Sequence, residues 1–418
     1  MSAFLVVSRN ELIFKCAYLV FALYMFHMVR GVLSVYPLFV LFLCLFVSGW
    51  ALARSLISQL DVNGLALIGC LVGYSLLVIP VISLIRYPEE LTINSMARFV
   101  FILPVLILVL GFADVQQFRK LLRFYVFFLL LCCFSVFYQI KFGAISWFAE
   151  ASYRDGLIRY SSLAGSLTIL GVAGGLALPF AYFLIKNKFV KYAMLAVIAI
   201  GMLLSLQKAA VINLIIFFAL VFFSFLRRGK LGFVILLMGG LASFVALLYY
   251  FEVSYAVSVV NNVFRVGAAK EVHSDYSVAE SIISRLWGLP SVVLDYHGPF
   301  SLIFGVGLAG GAGVFGNEEF PMSHNAILDY LFIGGVPYLL ISIIAIGYAF
   351  RACIGCIRRD CSNEDVHRSC LWFFVIFLAN MPFASGIQFQ PVLGGAFYAV
   401  LGWYLVVPKN IMTRSIKY

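Results

Sequence analysis

The chain of 418 residues is 64% hydrophobic and only 11% charged, with a formal net charge of +11. A soluble domain is about half apolar and about a quarter charged, so this chain lacks the polar surface to cover a water-soluble particle. Nor does the positive balance mark a nucleic-acid binder: no basic stretch is long enough to follow a duplex, and Lys and Arg are what orient membrane proteins.

In chain order, apolar blocks of bilayer-crossing length fall near 11–29, 32–53, 63–85, 99–114, 124–140, 161–185, 192–206, 209–226, 231–251, 325–350, 370–388 and 391–408. The pattern predicts an all-α, polytopic membrane protein with about twelve transmembrane helices. No small-residue cleavage site follows the first run, so it reads as a retained span. The seventh and eighth spans are separated only by Gln207 and Lys208 and form a tight hairpin. Between the ninth and tenth spans lies one large connection, about 252–322. A connection of that length in a compact protein is usually functional. The organisation is thus a bundle over 1–251, a large loop with short helices over 252–322, and a bundle with a tail over 323–418. The 42 Phe and 22 Tyr suit lipid-facing surfaces and interfacial belts.

Placing both termini in the cytoplasm leaves only Arg30, Arg86, Arg98, Lys141, Arg154, Arg159, Lys208, Arg265, Lys270 and Arg285 on the far side, ten of the 29 basic residues. The positive-inside rule favours that orientation and puts the large loop outside the cytoplasm.

Each far-side cation stands out as one of a minority. Arg154 and Arg159 precede the sixth span, Lys208 sits at the hairpin tip, and Arg285 lies in the large loop within Ser-Arg-Leu-Trp. Together they make a basic pocket suited to phosphate or pyrophosphate, since guanidinium pairs bidentately with such oxygens. Each alone also reads as an interfacial side chain holding its charge among headgroups. His324 and Asn325 open the tenth span. A helix start there presents free N–H groups to an anion, with His324 as a proton-transfer residue; the plainer alternative is a cap by Ser323 or Asn325. The glycine run from Gly305 lacks the strand–turn–helix context of a nucleotide loop. Cys353, Cys356, Cys361 and His367 have zinc-like spacing but lie in a short basic loop, where positive charge opposes a metal ion, so no metal is assigned. None of the nine cysteines falls in the large loop, which argues against a disulfide framework.

Ser323-His-Asn-Ala-Ile-Leu-Asp-Tyr-Leu-Phe-Ile-Gly-Gly resembles the His-Asn, apolar helix, Gly signature of the O-antigen polymerase and O-antigen ligase superfamily. Upstream, Ser284-Arg285-Leu-Trp and Phe304-Gly-Val-Gly look like its Arg-containing loop helix and its Gly-x-Gly approach. Ser205-Leu-Gln-Lys208 is similar to its hairpin, though with lysine where the family has arginine, keeping the charge without the bidentate fork. Arg154-Asp-Gly-Leu-Ile-Arg159 with Ser161-Ser resembles the motif before its middle span. The agreement in order covers 150–340; the N-terminal third matches in hydropathy alone.

The resemblance implies glycosyl transfer on the periplasmic face of the bacterial inner membrane, without metal or cofactor. Donor and acceptor are undecaprenyl-pyrophosphate-linked glycans among membrane lipid, and a chain-length regulator is a partner it allows. His324 is implied as base, Arg285 as catalytic cation, Lys208, Arg154, Arg159 and Arg285 as pyrophosphate ligands, and Asn325 and Asp329 as supporting residues. The polymerase leads, adding the growing chain to a new lipid-linked repeat. The alternatives are a ligase, whose acceptor is the lipid A core, and a lipid-linked sugar flippase or transporter. The lack of an internal repeat, and the position of the notable charges at the membrane edge, weigh against transport.

Overall fold

A computed structural model describes residues 2–26, 36–54, 61–86, 105–112, 114–145, 152–154, 157–165, 169–205, 207–226, 229, 291, 294–295, 298–307, 325–382 and 390–406. These residues are mostly helical: α1 (Ser2–Met25), α2 (Tyr36–Arg54), α3 (Val62–Gly73), α4 (Ile79–Arg86), α5 (Val105–Leu108), α6 (Val115–Phe142), α7 (Ile169–Leu184), α8 (Lys188–Leu204), α9 (Lys208–Leu226), α10 (Phe300–Phe304), α11 (Ala326–Arg359), α12 (Glu364–Asn380) and α13 (Pro391–Val406). Two short strands, β1 (Ser152–Arg154) and β2 (Leu157–Arg159), pair antiparallel. The all-α expectation therefore holds. The ninth span and most of the large loop lie outside the described residues.

Among the described residues, four stretches are long and apolar enough to cross a membrane: Val62–Ile85, Val115–Phe142, Ala209–Leu226 and Ala326–Arg359. Their outer faces carry exposed Leu77, Ile85, Ile215, Phe223, Leu340 and Ile344. In water, exposing such side chains forgoes about 1.5–3 kcal/mol each, whereas lipid accepts them. The chain is membrane-embedded.

The contacts divide the chain into two units, Met1–Tyr125 with Ser281–Tyr418, and Val126–Glu280. In the first, α13 is the central element, buried at every position from Val392 to Val406. Small residues bring its neighbours in: a Cβ on Gly402 would stand 2.5 Å from the Leu106 carbonyl oxygen, and one on Gly395 2.8 Å from Met25 Cε. Close backbone approach is how membrane helices associate when lipid tails are as apolar as leucine. Asp61 caps α3 by accepting from the Asn63 N–H, and the Tyr348 hydroxyl of α11 donates to the same carboxylate.

At the far end of α11 from Asn325 the structure corrects the sequence reading of the cysteines. The helix continues to Arg359, so Cys353 and Cys356 are buried helical residues rather than loop residues. An apolar face persists past the expected boundary, and basic Arg358 and Arg359 fall in the last turn, where the helix dipole favours them. The Cys353 thiol donates to the His367 carbonyl oxygen, 3.3 Å away. The His367 ring is engaged elsewhere, with Nδ1 2.8 Å from the Tyr404 hydroxyl and Nε2 3.3 Å from Asp360 Oδ2. Nearby, Arg119 of α6 pairs with Asp365 at 2.6 Å.

This cluster makes stability depend on pH. Burial lowers the His367 pKa from its ordinary 6.5, with Asp360 opposing that shift. Burial alone would raise the Asp360 carboxyl, but hydrogen bonds from Ser362, Asn363 and His367 hold it below its ordinary 3.8. Below pH 6.5 the unfolded chain therefore takes up a proton at His367 that the folded chain resists. Stability from this group is complete above that value and declines as pH falls through it; the Asp360 contribution is lost only below 3.8. The unfolding temperature in detergent should drop as pH falls below 6.5, and His367→Gln should flatten that slope.

In the second unit, the predicted sixth span begins late. Of 161–185, the helix occupies only Ile169–Leu184. Residues 157–165 form β2 and a tight turn instead. Ser162 Oγ accepts from the Ala164 N–H at 3.1 Å, and Gly165 takes φ 128, a conformation that glycine adopts without strain. Serine side chains that bond nearby backbone compete with the helix in this way. The helices pack through glycines: a Cβ on Gly175 would lie 2.6 Å from Asn213 Cβ, and one on Gly201 2.7 Å from Cys133 Cβ.

Candidate functional site

Asn325 is the N-cap of α11, in extended conformation, and its side chain accepts from the N–H groups of Ile327 (3.0 Å) and Leu328 (3.3 Å). The Ala326 N–H donates to the Met381 carbonyl oxygen at 2.7 Å, and Asp329 N–H closes the first turn on the Asn325 carbonyl. The first N–H groups of α11 are thus occupied. The expectation that they stand free to bind an anion is corrected: the capping alternative describes Asn325. Asp329 is buried in that first turn, where the dipole favours a carboxylate.

One turn and a half further on, α11 breaks. Gly335 adopts φ 71, ψ −175, outside helical space, and Pro337 has no N–H for the Ile333 carbonyl. In lipid an orphan carbonyl costs several kcal/mol, so a broken helix must find other donors. The segment Gly305-Val-Gly supplies two: Val306 N–H donates to the Phe332 carbonyl at 2.6 Å, and Gly307 N–H to that of Ile333 at 3.0 Å. Tyr74 supplies the third, its hydroxyl donating to the Gly334 carbonyl at 2.7 Å. Tyr74 starts a π-helical turn, Tyr74–Val78, that joins α3 to α4, and its ring stacks on Tyr338 with centroids 5.5 Å apart. Such turns redirect side chains within a helix and recur at functional sites. Gly305 and Gly307 have φ 79 and 76, and a Cβ on Gly305 would stand 2.5 Å from the Ile333 oxygen. The Gly-x-Gly segment and the Gly-Gly after His-Asn, two separate sequence features, are therefore a single joint.

The second unit holds the other candidates. The register of β1 with β2 pairs Ser152 with Arg159 and Arg154 with Leu157, placing positions 154 and 159 on one face of the ribbon. Arg159 is half-buried. The turn after β2 is pinned by Gln139, whose buried amide donates to the Ser161 carbonyl at 2.7 Å, while the Leu163 N–H donates to Ser135 Oγ at 3.2 Å. Lys208 opens α9. Beside it, Gln207 Oε1 accepts from the Gly171 N–H at 3.1 Å, and Asn213 Nδ2 donates to the Gly171 carbonyl at 3.2 Å. One end of this unit thus gathers the C-terminus of α6, the start of α7 and the α8–α9 tip. His324 and Arg285 lie outside the described residues.

Sequence reasoning singled out the cations and missed Gln139, Gln207, Asn213 and Tyr74. Amides inside apolar runs were the available signal, because a buried polar side chain in a membrane needs a partner. Among the described residues no group of three His, Cys, Asp or Glu side chains stands close enough to hold a metal ion. No protein-family model matches this chain, and no curated protein matches it.

Proposed function

We propose that the protein is a polymerase of undecaprenyl-pyrophosphate-linked oligosaccharide repeat units, O-antigen or exopolysaccharide, acting on the periplasmic face of the bacterial inner membrane. The reading includes about twelve spans, both termini in the cytoplasm and the large loop between the ninth and tenth spans. The observation that carries it is the joint between Gly305-Val-Gly and the broken start of α11. Two segments through which the chain resembles the polymerase and ligase superfamily bond directly to each other: Val306 and Gly307 of the large loop donate to the helix that Asn325 caps.

The bond between the anomeric carbon of the donor glycan and its pyrophosphate oxygen breaks. A bond from an acceptor sugar hydroxyl to that carbon forms. The hydroxyl proton passes to a neutral His324 imidazole, and undecaprenyl pyrophosphate leaves. Charge grows on the leaving pyrophosphate, where Arg285, Lys208, Arg154 and Arg159 stabilise it. Asn325 caps α11, and Asp329 lies on the same first turn.

Purified protein given lipid-linked repeats should lengthen them and release carrier pyrophosphate. Release only when lipid A core is added would make the protein a ligase. Absence of release under both conditions would reject glycosyl transfer and leave transport.

A further inference from the structure

Two residues at the α8–α9 tip break local rules. Gln207 occupies the position before α9, where Ser, Thr, Asp and Asn are the good caps. Its carbonyl accepts from the Ala210 N–H at 3.1 Å, as a capping residue's should. Its side chain, only 5% exposed with the rest of the residue, turns instead to a different helix and takes the Gly171 N–H in the first turn of α7. Lys208 then puts a cation at the positive end of the α9 dipole, which costs about 0.3–1 kcal/mol. A sequence that breaks local rules at two adjacent positions commonly does so at a working site.

The cross-helix cap is tight. Asn213, on α9, takes the Gly171 carbonyl, so both backbone polar groups of one glycine are read by α9 side chains or its cap. A Cβ on Gly171 would stand 3.1 Å from Gln207 Cδ and 3.2 Å from Ala210 Cβ, so only glycine leaves room. The start of α9 is registered to the start of α7.

We infer that Gln207 is the positioning residue for Lys208: its bond to Gly171 fixes the backbone at the start of α9, from which Lys208 serves the pyrophosphate of the lipid-linked donor. This rests on the transferase reading for the ligand. It does not rest on it for the geometry. Gln207 touches no reacting atom.

The test uses full-length protein in membranes and a double-mutant cycle. Gln207→Ala and Lys208→Ala should each raise KM for the lipid-linked donor about tenfold, while Gln207→Ala in the Lys208→Ala background adds less than about twofold. Gln207→Glu, which keeps the acceptor oxygen, should recover most of the loss. Additive effects would overturn the inference, since Gln207 would then act independently of Lys208. A second measurement needs no activity: the rate at which an amine-acylating reagent labels Lys208, relative to Lys186, by mass spectrometry. Gln207→Ala should change that ratio about fivefold or more, as expected when the backbone that carries Lys208 is released. An unchanged ratio would reject positioning even if the protein proves to be a transferase. A changed ratio with no transfer by the wild-type chain would keep positioning and reject the transferase.

Discussion

With lipid-linked repeats as substrate, Arg285→Ala is expected to transfer about 10²–10³-fold more slowly than the wild-type chain, the usual loss when one group stabilising developing charge is removed. His324→Ala is expected to lose about 10²–10⁴-fold, the range for a general base. The two should differ in pH response. A neutral imidazole is needed to accept the acceptor proton, so wild-type kcat/KM should rise with pH through the histidine range. The residual activity of His324→Ala should lack that limb, while Arg285→Ala should retain it. Arg285→Lys should recover only part of the rate, because a point charge replaces a bidentate fork. Size-exclusion profiles in detergent should match the wild type for both alanine variants. Wild-type rates in both would remove these residues from the site.

The second large effect concerns the joint in α11. Gly305→Val should prevent accumulation of folded protein. Its Cβ would meet backbone atoms, 2.5 Å from the Ile333 oxygen, 2.7 Å from the Gly335 nitrogen and 2.8 Å from the Gly334 nitrogen, none of which can rotate away. The positive φ adds about 1–3 kcal/mol of strain for a branched side chain. Displacing the segment also strips the Phe332 and Ile333 carbonyls of their donors, at about 1–3 kcal/mol each. The sum approaches the whole stability of many domains, about 5–15 kcal/mol. Tyr74→Phe removes one donor alone and should lower the unfolding temperature while leaving the protein folded. A Gly305→Val protein that elutes as the wild type does, with an unaltered melting curve, would mean that the joint does not hold α11.

Much of the helical content was legible because lipid imposes long apolar runs, and those runs need no tertiary information. Boundaries failed where polar local chemistry intervened. Residues 161–168 look apolar enough to extend the span, yet Ser162 and Gly165 close a turn there. Cys353 and Cys356 looked like loop residues because Arg351, Arg358 and Arg359 flank them, whereas the helix carries those charges to its end. The identity of Asn325 as a cap was readable from the sequence; which N–H groups it takes was not, nor that Met381 takes another. The break in α11 was half visible in Gly334, Gly335 and Pro337. Its repair was invisible, because Tyr74 lies 260 residues away in sequence and nothing local points to it. Long-range partnerships of this kind are set by packing, which a single sequence does not print.

The order of the repair along the chain bears on how the protein is made. Tyr74, Val306 and Gly307 all precede Phe332, Ile333 and Gly334. Synthesis runs from the N-terminus, so every donor has left the ribosome before the acceptors that need it. The interrupted helix can enter the bilayer beside partners already there, and its exposed carbonyls need never wait in hydrocarbon. Moving Tyr74 or the glycine segment downstream of α11 by circular permutation would leave the final contacts unchanged and reverse that order. Insertion yield would then report the cost of the wait.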